Sequence, residues 1–270
     1  MLIDGDLFAY QIACVHQETY NFGESTAVAV ELDEARRHFD TLIDEFCQTL
    51  GVKDVLIALS DYENFRKNLN PSYKANRDPK ARPLLLAPLI QHIEQNYAHS
   101  RLPRLEADDV MGLLSTQPNS PYIVVTQDKD LTGVACCYWN PKKDKAPREI
   151  SKEEADAFFY SQILSGDSSD GYKGCPTIGA IKAAQIVENP FLWACETSLI
   201  QSGKNKGKVK QTWTKVPCDN IWRAIVAHYE HQGLKEEDAL LNARMARILR
   251  HGEYNFNTKE PILWKPNQGS

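Results

Sequence analysis

Nine carboxylic acids are the residues of this sequence whose positions could support chemistry, since they follow apolar segments or open predicted helices and loops. They are Asp4, Asp61, Glu106, Asp108, Asp109, Asp128, Asp130, Asp167 and Asp170. Because like charges at close range raise one another's pKa and destabilise a fold, converging carboxylates need cations. Mg²⁺ takes oxygen ligands, and two such ions about 3.5–4 Å apart stabilise the attacking and leaving oxygens of a phosphoryl displacement. The pattern therefore favours phosphodiester cleavage by two metal ions.

Each of these acids also has an ordinary explanation when it is taken alone. An acid after a strand is usually a solvated turn residue, and acids in the first turn of a helix interact favourably with the helix dipole. Glu106 and Asp109 stand three residues apart and would share one helix face. The prediction of a metal site depends on the recurrence of acids at successive strand ends.

Short apolar runs and amphipathic segments predict the elements that would position these acids. Strands are predicted at 2–3, 55–59, 122–126 and 134–139, and an acid follows each of the first three within two residues. The main predicted helices lie at 33–50, with Asp33 as N-cap, and at 84–97, 106–114, 151–164, 181–187, 219–231 and 236–250. This alternation predicts an α/β fold with a largely parallel sheet, in which ligands collect at the carboxyl ends of the strands.

Basic residues are concentrated in two segments, although the chain carries a net charge of −5. Residues 62–104 contain eight basic residues and three acids, which gives +5. Residues 201–216 contain five lysines and no acid, and we expect an exposed loop there. Lys74 and Arg77, three apart, could contact neighbouring phosphates, although solvated surface is the ordinary explanation for either segment. The charge distribution is thus compatible with a nucleic-acid surface despite the acidic total.

A glycine-rich stretch runs from Gly166 through Gly174 to Gly179 and leads into a predicted helix. Turns of this kind expose backbone N–H groups, which bind phosphate at a helix N-terminus without reading sequence. A plain turn between two helices is an equally good explanation of the stretch by itself.

Composition places the chain among ordinary globular proteins. Of its 270 residues, 42% are hydrophobic and 25% are charged, which excludes a disordered tail, a collagen-like repeat and a disulfide miniprotein. We find no apolar run of membrane-span length and no basic segment of a signal peptide at the N-terminus. The seven cysteines are an odd number without zinc-binding spacing. We expect reduced thiols in a cytoplasmic compartment, with no membrane partner.

A series of motifs resembles the 5′-nuclease superfamily of flap endonucleases, and within it the 5′→3′ exonucleases of short-tailed, T-odd bacteriophages. The motifs span nearly the whole chain in the expected order: DGD at 4–6, NFRK at 64–67, YKANR at 73–77, LEADDVMG at 105–112, DKD at 128–130, GDSSDGYKG at 166–174, SGKNKG at 202–207, MARILR at 245–250 and EYNF at 253–256.

This resemblance implies a 5′-nuclease/PIN-like α/β core at 1–165, with a helical arch at about 62–100. A helical DNA-binding region at 166–270 would include a helix-hairpin-helix. The implied enzyme is an Mg²⁺-dependent 5′→3′ exonuclease with two ions, for which Mn²⁺ can substitute. Its substrates would be duplex DNA with a free 5′ end and RNA primers paired to DNA, and its products would carry 5′-phosphates. The implied setting is phage DNA replication and degradation of host DNA in the host cytoplasm, with a replication or single-strand-binding protein as partner.

The resemblance also assigns roles to residues. Asp4, Asp61, Glu106 and Asp108 would form the first metal group, with Asp108 between the ions. Asp109, Asp128, Asp130, Asp167 and Asp170 would form the rest, and Lys74, Arg77, Asp108 and Asp128 would be catalytic. The implied DNA contacts are Arg66, Lys67, Tyr73, Lys74, Arg77, Gly174, Gly179, Lys182, Lys204, Lys206 and Lys208.

The sequence departs from the superfamily pattern in two places. Thr177 replaces a glycine in the hairpin at 174–187, which the resemblance would otherwise make a K⁺ site. Asp6 matches the phage subgroup alone, so a turn or supporting role stays open for it.

Two other classes of function remain open from the residues. One is a haloacid-dehalogenase-type phosphatase, whose D-x-D motif fits Asp4-Gly5-Asp6 but leaves the acids at 106–109 and 128–130 without a task. The other is a catalytically inert, nuclease-like DNA-binding protein.

Overall fold

The predicted alternation of strands and helices is confirmed in the first half of the chain. The computed structural model describes residues 1–22, 25–78 and 81–266. Its strands are β1 (Leu2–Asp4), β2 (Gln17–Phe22), β3 (Ser25–Val30), β4 (Leu56–Leu59), β5 (His99–Arg101), β6 (Ile123–Val125), β7 (Cys137–Trp139), β8 (Arg148–Glu149), β9 (Phe191–Leu199), β10 (Val209–Pro217), β11 (Tyr254–Asn255) and β12 (Glu260–Pro261). Its helices are α1 (Gly5–Val15), α2 (Leu32–Leu50), α3 (Phe65–Leu69), α4 (Leu86–Asn96), α5 (Ala107–Ser115), α6 (Lys152–Ser165), α7 (Ala180–Glu188), α8 (Ile221–His231) and α9 (Glu236–Ala246).

The central sheet has six strands in the order β5-β4-β1-β6-β7-β8. Its first five strands are parallel, and β8 runs antiparallel to β7. Strand β1 is central: β4 lies next to it on one side and β6 on the other. This arrangement brings together the carboxyl ends of β1, β4 and β6, where parallel sheets of this kind bind ligands. The acids that follow these three strands therefore share one edge of the sheet.

Both faces of this sheet are covered, which explains why its strands are apolar along their whole length. On one face, Phe8 of α1, Phe39 of α2 and Leu89 of α4 pack against strand residues such as Ile57. On the other face, α5 packs with a segment from near the end of the chain, which includes Leu249.

One glycine in α5 is required by this packing. A Cβ atom at Gly112 would lie 2.3 Å from the carbonyl oxygen of Leu249, which is backbone and cannot move aside cheaply. The absence of a side chain therefore allows the late segment to lie directly on the helix.

The described residues form two compact units, and their boundary differs from the one expected from the sequence. The first unit comprises Met1–Ala155 with Ile248–Leu263, and the second begins at Asp156, reaches Arg247 and resumes at Trp264. The expected division lay between residues 165 and 166. The structural boundary falls inside α6, and residues after 247 return to the first unit because Ile248, Leu249 and Tyr254 are buried in its core.

The second unit contains a β-hairpin where the sequence analysis predicted a loop. That prediction, over 201–216, is correct in its exposure and in its first half but wrong for 209–216: Val209–Pro217 pairs along its whole length with Phe191–Leu199. Residues 200–208 form the turn between the two strands. The lysines obscured the strand pattern of β10, and no strand was predicted over β9, its pairing partner.

Smaller differences concern the ends of helices. Helix α2 begins at Leu32 with Glu31 as its N-cap residue, so the prediction of Asp33 as N-cap is wrong. Helix α9 ends at Ala246 and not at 250, because the next residues turn into the first unit. The hairpin of β2 and β3 was not predicted from the sequence.

Candidate active site

Asp4 ends the central strand β1 and anchors one side of the site. Its Oδ1 accepts the N–H of Leu7 at 3.1 Å as the N-cap of α1, and its Oδ2 accepts the hydroxyl of Thr126 at 2.8 Å. Its side chain is buried. Burial, together with the negative charges of Asp6 and Asp128, raises the pKa of Asp4 to about 7. A carboxylate held in such surroundings favours a cation as partner.

Asp108 and Asp128 form, together with Asp4, a group of three mutually repelling acids, which we call the acidic cluster. Asp108 stands in the first turn of α5, and burial and the charges of Asp4 and Asp128 raise its pKa well above the usual range. Asp128 caps the short 3₁₀ helix Lys129–Gly133, where its Oδ1 accepts the N–H of Asp130 at 2.8 Å. The three side chains belong to different elements and meet at the edge described above.

The charge at this edge fits a hard divalent cation, because carboxylate oxygens are its preferred ligands. Among the described residues, no three histidine, cysteine or acidic side chains already form a ligand set. The carboxylates of Asp4, Asp108 and Asp128 are the groups at this edge that would hold such a cation.

Glu106, the N-cap residue of α5, is held by three donors from the basic segment. Lys74 Nζ lies 2.5 Å from its Oε1, and Tyr73 Oη and Arg66 Nη1 donate to its Oε2 at 2.8 and 3.2 Å. Burial would raise the pKa of Glu106, but the charges of Lys74 and Arg66 outweigh it and hold the pKa at about 2. Glu106 therefore stays ionised.

The backbone of Lys74 lies in the left-handed region, with φ of 53°. Such a conformation costs a non-glycine residue about 1 kcal/mol or more and persists where the surroundings enforce it. Here the ion pair with Glu106 fixes the side chain. The strain places a cationic group beside the acidic cluster, where Lys74 was expected to act.

Asp109 and Arg66, expected as a metal ligand and a DNA contact, bind each other. Arg66 donates to both oxygens of Asp109, at 2.6 and 2.7 Å, and both side chains are buried. Asp109 also accepts the N–H of Leu249 at 3.1 Å and that of Glu106 at 3.3 Å. Because its oxygens are occupied by these donors, we assign the pair a structural role that joins three segments of the first unit.

Tyr73 also differs from its expected place on a DNA-binding surface. Its side chain is buried, with its hydroxyl on Glu106. Lys67 and Arg77 are exposed, as a DNA contact requires. Lys80 of the same basic segment lies outside the described residues, as does Pro79 in the expected arch.

Asp61 and Asp6 hold backbone groups around the site. Asp61 Oδ2 accepts the N–H of Arg104 at 2.7 Å, and Asp6 Oδ2 accepts the N–H of Ser60 at 2.9 Å. The hydroxyl of Ser60 in turn accepts the N–H of Ala107, the first residue of α5, at 2.9 Å. Asp6 thus takes the supporting role left open for it, since it positions the strand end that precedes Asp61.

Thr126 is a site residue that the sequence analysis missed. Its hydroxyl donates to Asp4 and accepts the N–H of Asp128 at 3.1 Å, and its side chain is fully buried. It therefore ties two members of the acidic cluster together. The sequence did contain an indication of this role, because Thr126 is a hydrogen-bonding residue at the end of the apolar run 122–126.

Asp167 and Asp170 lie in the second unit, in the loop after α6. Asp167 Oδ1 accepts the N–H of Ser169 at 2.8 Å and that of Asp170 at 3.3 Å, so it organises the loop. Gly166 and Gly174 both have positive φ, and a Cβ on either one would collide with backbone of this loop. Their identity is explained by loop closure alone.

Gly179 is different, because neither its backbone nor its packing requires glycine. It is the N-cap of α7 with φ of −91°, and a Cβ there would meet no atom within 4 Å. Thr177 nearby has φ of 66°, the left-handed conformation that favours glycine. Lys182 of α7 is exposed, as are Lys204, Lys206 and Lys208 in the turn 200–208.

Within the described ranges, no helix is both long and apolar enough to cross a bilayer.

This chain is similar to known proteins in both sequence and fold. Residues 1–155 match the family described as 5′-3′ exonuclease, N-terminal resolvase-like domain. The exonuclease of Escherichia phage T7 is 34% identical over 224 residues, which cover 78% of this chain and 74% of that protein. The exodeoxyribonuclease of Enterobacteria phage T3 is 32% identical over 224 residues, with 78% and 73% covered.

A solved structure extends the likeness to the fold. The T5 D15 protein, co-crystallised with metal ions, superposes with a TM-score of 0.58 at 13% identity, over 92% of this chain and 88% of that one. The family match spans more than half of the chain and includes the whole acidic edge of the sheet. The chain therefore belongs to the 5′-3′ exonuclease family of flap endonuclease-like hydrolases.

Proposed function

We propose that this chain is a two-metal 5′→3′ exonuclease that hydrolyses duplex DNA from a free 5′ end and leaves 5′-phosphates. The observation that carries the proposal is the meeting of Asp4, Asp108 and Asp128, where burial and like charges raise the pKa values of Asp4 and Asp108. Family membership supplies the reaction class, and the acidic edge supplies the donor chemistry for the metal.

The proposed ligands of Mg²⁺ are the carboxylates that remain after Asp109 is set aside. Within the first unit they are Asp4, Asp61, Glu106, Asp108, Asp128 and Asp130. When bound, the two ions supply an activated water and neutralise the attacking and leaving oxygens. Mn²⁺ accepts the same oxygen ligands and would substitute.

The chain's own residues orient the scissile phosphate. The ammonium group of Lys74 lies beside Glu106. Its N–H groups can donate to a phosphate oxygen in place of that carboxylate, and there they stabilise developing negative charge. Exposed Arg77 lies three residues further along the same segment and would contact the neighbouring phosphate, with Lys67 assisting. We assign these residues to the arch at about 62–100.

The turn at 174–179 and the first turn of α7 form the proposed grip on the uncut duplex. Gly179 leaves room for a phosphate to approach the N–H groups at the start of α7, and Lys182 adds charge on that helix. This is the helix-hairpin-helix role, in which contacts to the backbone position DNA without reading its sequence. The backbone carbonyls of the same turn are the candidate K⁺ site.

Contacts limited to phosphates also admit an RNA primer paired to DNA, and we include that hybrid as a substrate.

We place the activity in phage DNA replication and host DNA degradation within the host cytoplasm, with a replication or single-strand-binding protein as partner. No observation favours the phosphatase alternative, which leaves the grouping of Asp108 and Asp128 with Asp4 unexplained.

The test uses a blunt duplex labelled at one 5′ end and incubated with the chain in Mg²⁺ or in EDTA. We expect short labelled products that appear in Mg²⁺ alone, and none with Asp128→Ala, which should still bind the duplex in EDTA. Release of free phosphate from an intact strand would instead establish the phosphatase. Binding without cleavage in both Mg²⁺ and Mn²⁺ would establish the inert DNA-binding protein.

A further inference from the structure

The hairpin of β9 and β10 is a second feature of the chain with the properties of a ligand-binding element. Its two strands pair over nine residues each, and in the second unit the element packed against it is α8. Its outer part is exposed from Cys195 to Pro217, apart from Ile200. Neither the acidic cluster nor the turn at 174–179 makes use of it.

The base of the hairpin is fixed to α8 by aromatic and histidine rings. Trp193 stacks on His231 with centroids 4.4 Å apart, and Trp213 meets the same ring edge-on at 4.5 Å. Phe191 contacts His228 at 4.7 Å. These ring contacts pack the base of the ribbon against α8.

The tip of the hairpin is an ordered turn that carries closely spaced positive charges. Ile200 donates its N–H to the carbonyl of Lys208 at 3.0 Å, and Gly207 donates to the carbonyl of Ile200 at 2.9 Å. Lys204, Lys206 and Lys208 alternate around this turn. No acid occurs from 197 to 218, and no carboxylate of the described part of the chain pairs with these three lysines.

We propose that this hairpin is a binding ribbon for the phosphate backbone of duplex DNA, an inference that rests on the proposed function and deepens it. A two-stranded ribbon has the dimensions to enter the major groove, and lysines at its tip reach phosphates. The strands also carry short hydroxyl and amide side chains that bond phosphate, including Thr197, Gln211 and Thr212. The turn 200–208 contains no aromatic residue on which an unpaired base could stack, and the ring of Trp213 in β10 contacts His231, so we commit to a duplex as the occupant.

The test measures how the affinity of the full chain for a blunt, labelled duplex depends on salt, by fluorescence anisotropy in EDTA. Each lysine–phosphate contact contributes about −0.9 to the slope of log K against log salt concentration. The triple variant Lys204→Gln, Lys206→Gln, Lys208→Gln should make this slope less negative by about 2 to 3 and weaken binding by about tenfold. Each single variant should change the slope by about one.

The matched control removes the same charge from an exposed turn of the first unit, with Lys142→Gln, Lys143→Gln and Lys145→Gln. The inference predicts a wild-type slope for this control. An equal loss in both triple variants would overturn it, because net charge alone would then explain the effect.

Three further results would separate the inference from the function on which it rests. An unchanged slope in the hairpin variant, with Mg²⁺-dependent cleavage by the wild type intact, would refute the ribbon and leave the nuclease standing. A larger loss on a single strand than on the duplex would refute the assigned occupant. A wild type that neither binds nor cuts the duplex would refute the proposed function itself.

Discussion

At the scale of single residues, the site depends on which carboxylates are balanced by donors. Asp109 is neutralised by Arg66, and Glu106 by Lys74 and Arg66, whereas Asp4 and Asp108 have their pKa values raised. Asp109, whose two oxygens are bound by Arg66, therefore has a structural role, although it is an acid of the same motif as Asp108. The charged partners of each carboxylate make this distinction.

Thr126 should matter because it positions two of these carboxylates. Thr126→Val keeps the shape of the side chain but removes the bonds to Asp4 and to the N–H of Asp128. We expect the Mg²⁺ concentration for half-maximal cleavage to rise by about tenfold, with stability lowered by about 1–3 kcal/mol. Thr126→Ser should restore the metal dependence, and a titration of cleavage against Mg²⁺ measures it. A valine variant with wild-type metal dependence would contradict this role.

Lys74 should contribute to the chemical step. Lys74→Ala removes the cation beside Glu106, so we expect cleavage to slow by about 100-fold or more under single-turnover conditions. Lys53→Ala, which removes an exposed lysine of the first unit, is the control and should cleave at the wild-type rate. An unchanged cleavage rate in the Lys74 variant would show that Lys74 does not contribute to the chemical step.

At the scale of elements, a close backbone contact limits the side chains that α5 can accept, whereas the start of α7 is open. Gly112→Ala would place a Cβ 2.3 Å from the carbonyl oxygen of Leu249. We expect the free energy of unfolding to fall by about 2 kcal/mol or more, because the backbone must move.

Gly179→Ala should change the free energy of unfolding by less than about 1 kcal/mol. It should nevertheless weaken duplex binding, because the added methyl group would fill the space through which a phosphate approaches. Urea unfolding and anisotropy measure the two effects, and equal stability losses would disprove the distinction.

At the scale of the whole molecule, repulsion among the acids should couple folding to pH and metal. In the absence of metal, burial and like charges raise the folded-state pKa of Asp4 from 3.8 to about 7, so the folded state binds this proton more tightly than the unfolded chain. The free energy of unfolding attributable to Asp4 should therefore fall as pH rises from about 4 to about 7. Mg²⁺ should restore stability at the upper end of this range.

Urea unfolding at both ends of that pH range, in EDTA and in Mg²⁺, tests this coupling. Asp108→Asn should raise stability in EDTA near neutral pH, because it removes one of the repelling charges. It should also reduce the stabilisation by Mg²⁺. Stability that is independent of Mg²⁺ throughout would show that the cluster does not bind the ion.

The sequence alone determined the α/β core, the order of its strands along the chain and the acids that follow them. These features are local: an apolar run and the acid after it are adjacent in the chain, and parallel strands bring such acids to one edge. Even the position of Lys74 beside this edge could be expected, because its motif resembles that of a known family.

Only the tertiary structure decided which of these residues are available and where the chain divides. Asp109 is occupied by Arg66, 43 positions away, and by the backbone of Leu249, 140 positions away. The strand β10 formed because β9 supplied its backbone partners, although its lysines predicted a loop. The first outcome depends on contacts between distant segments, and the second on the pairing of two neighbouring strands, and neither hydrophobic periodicity nor local spacing identified these pairings.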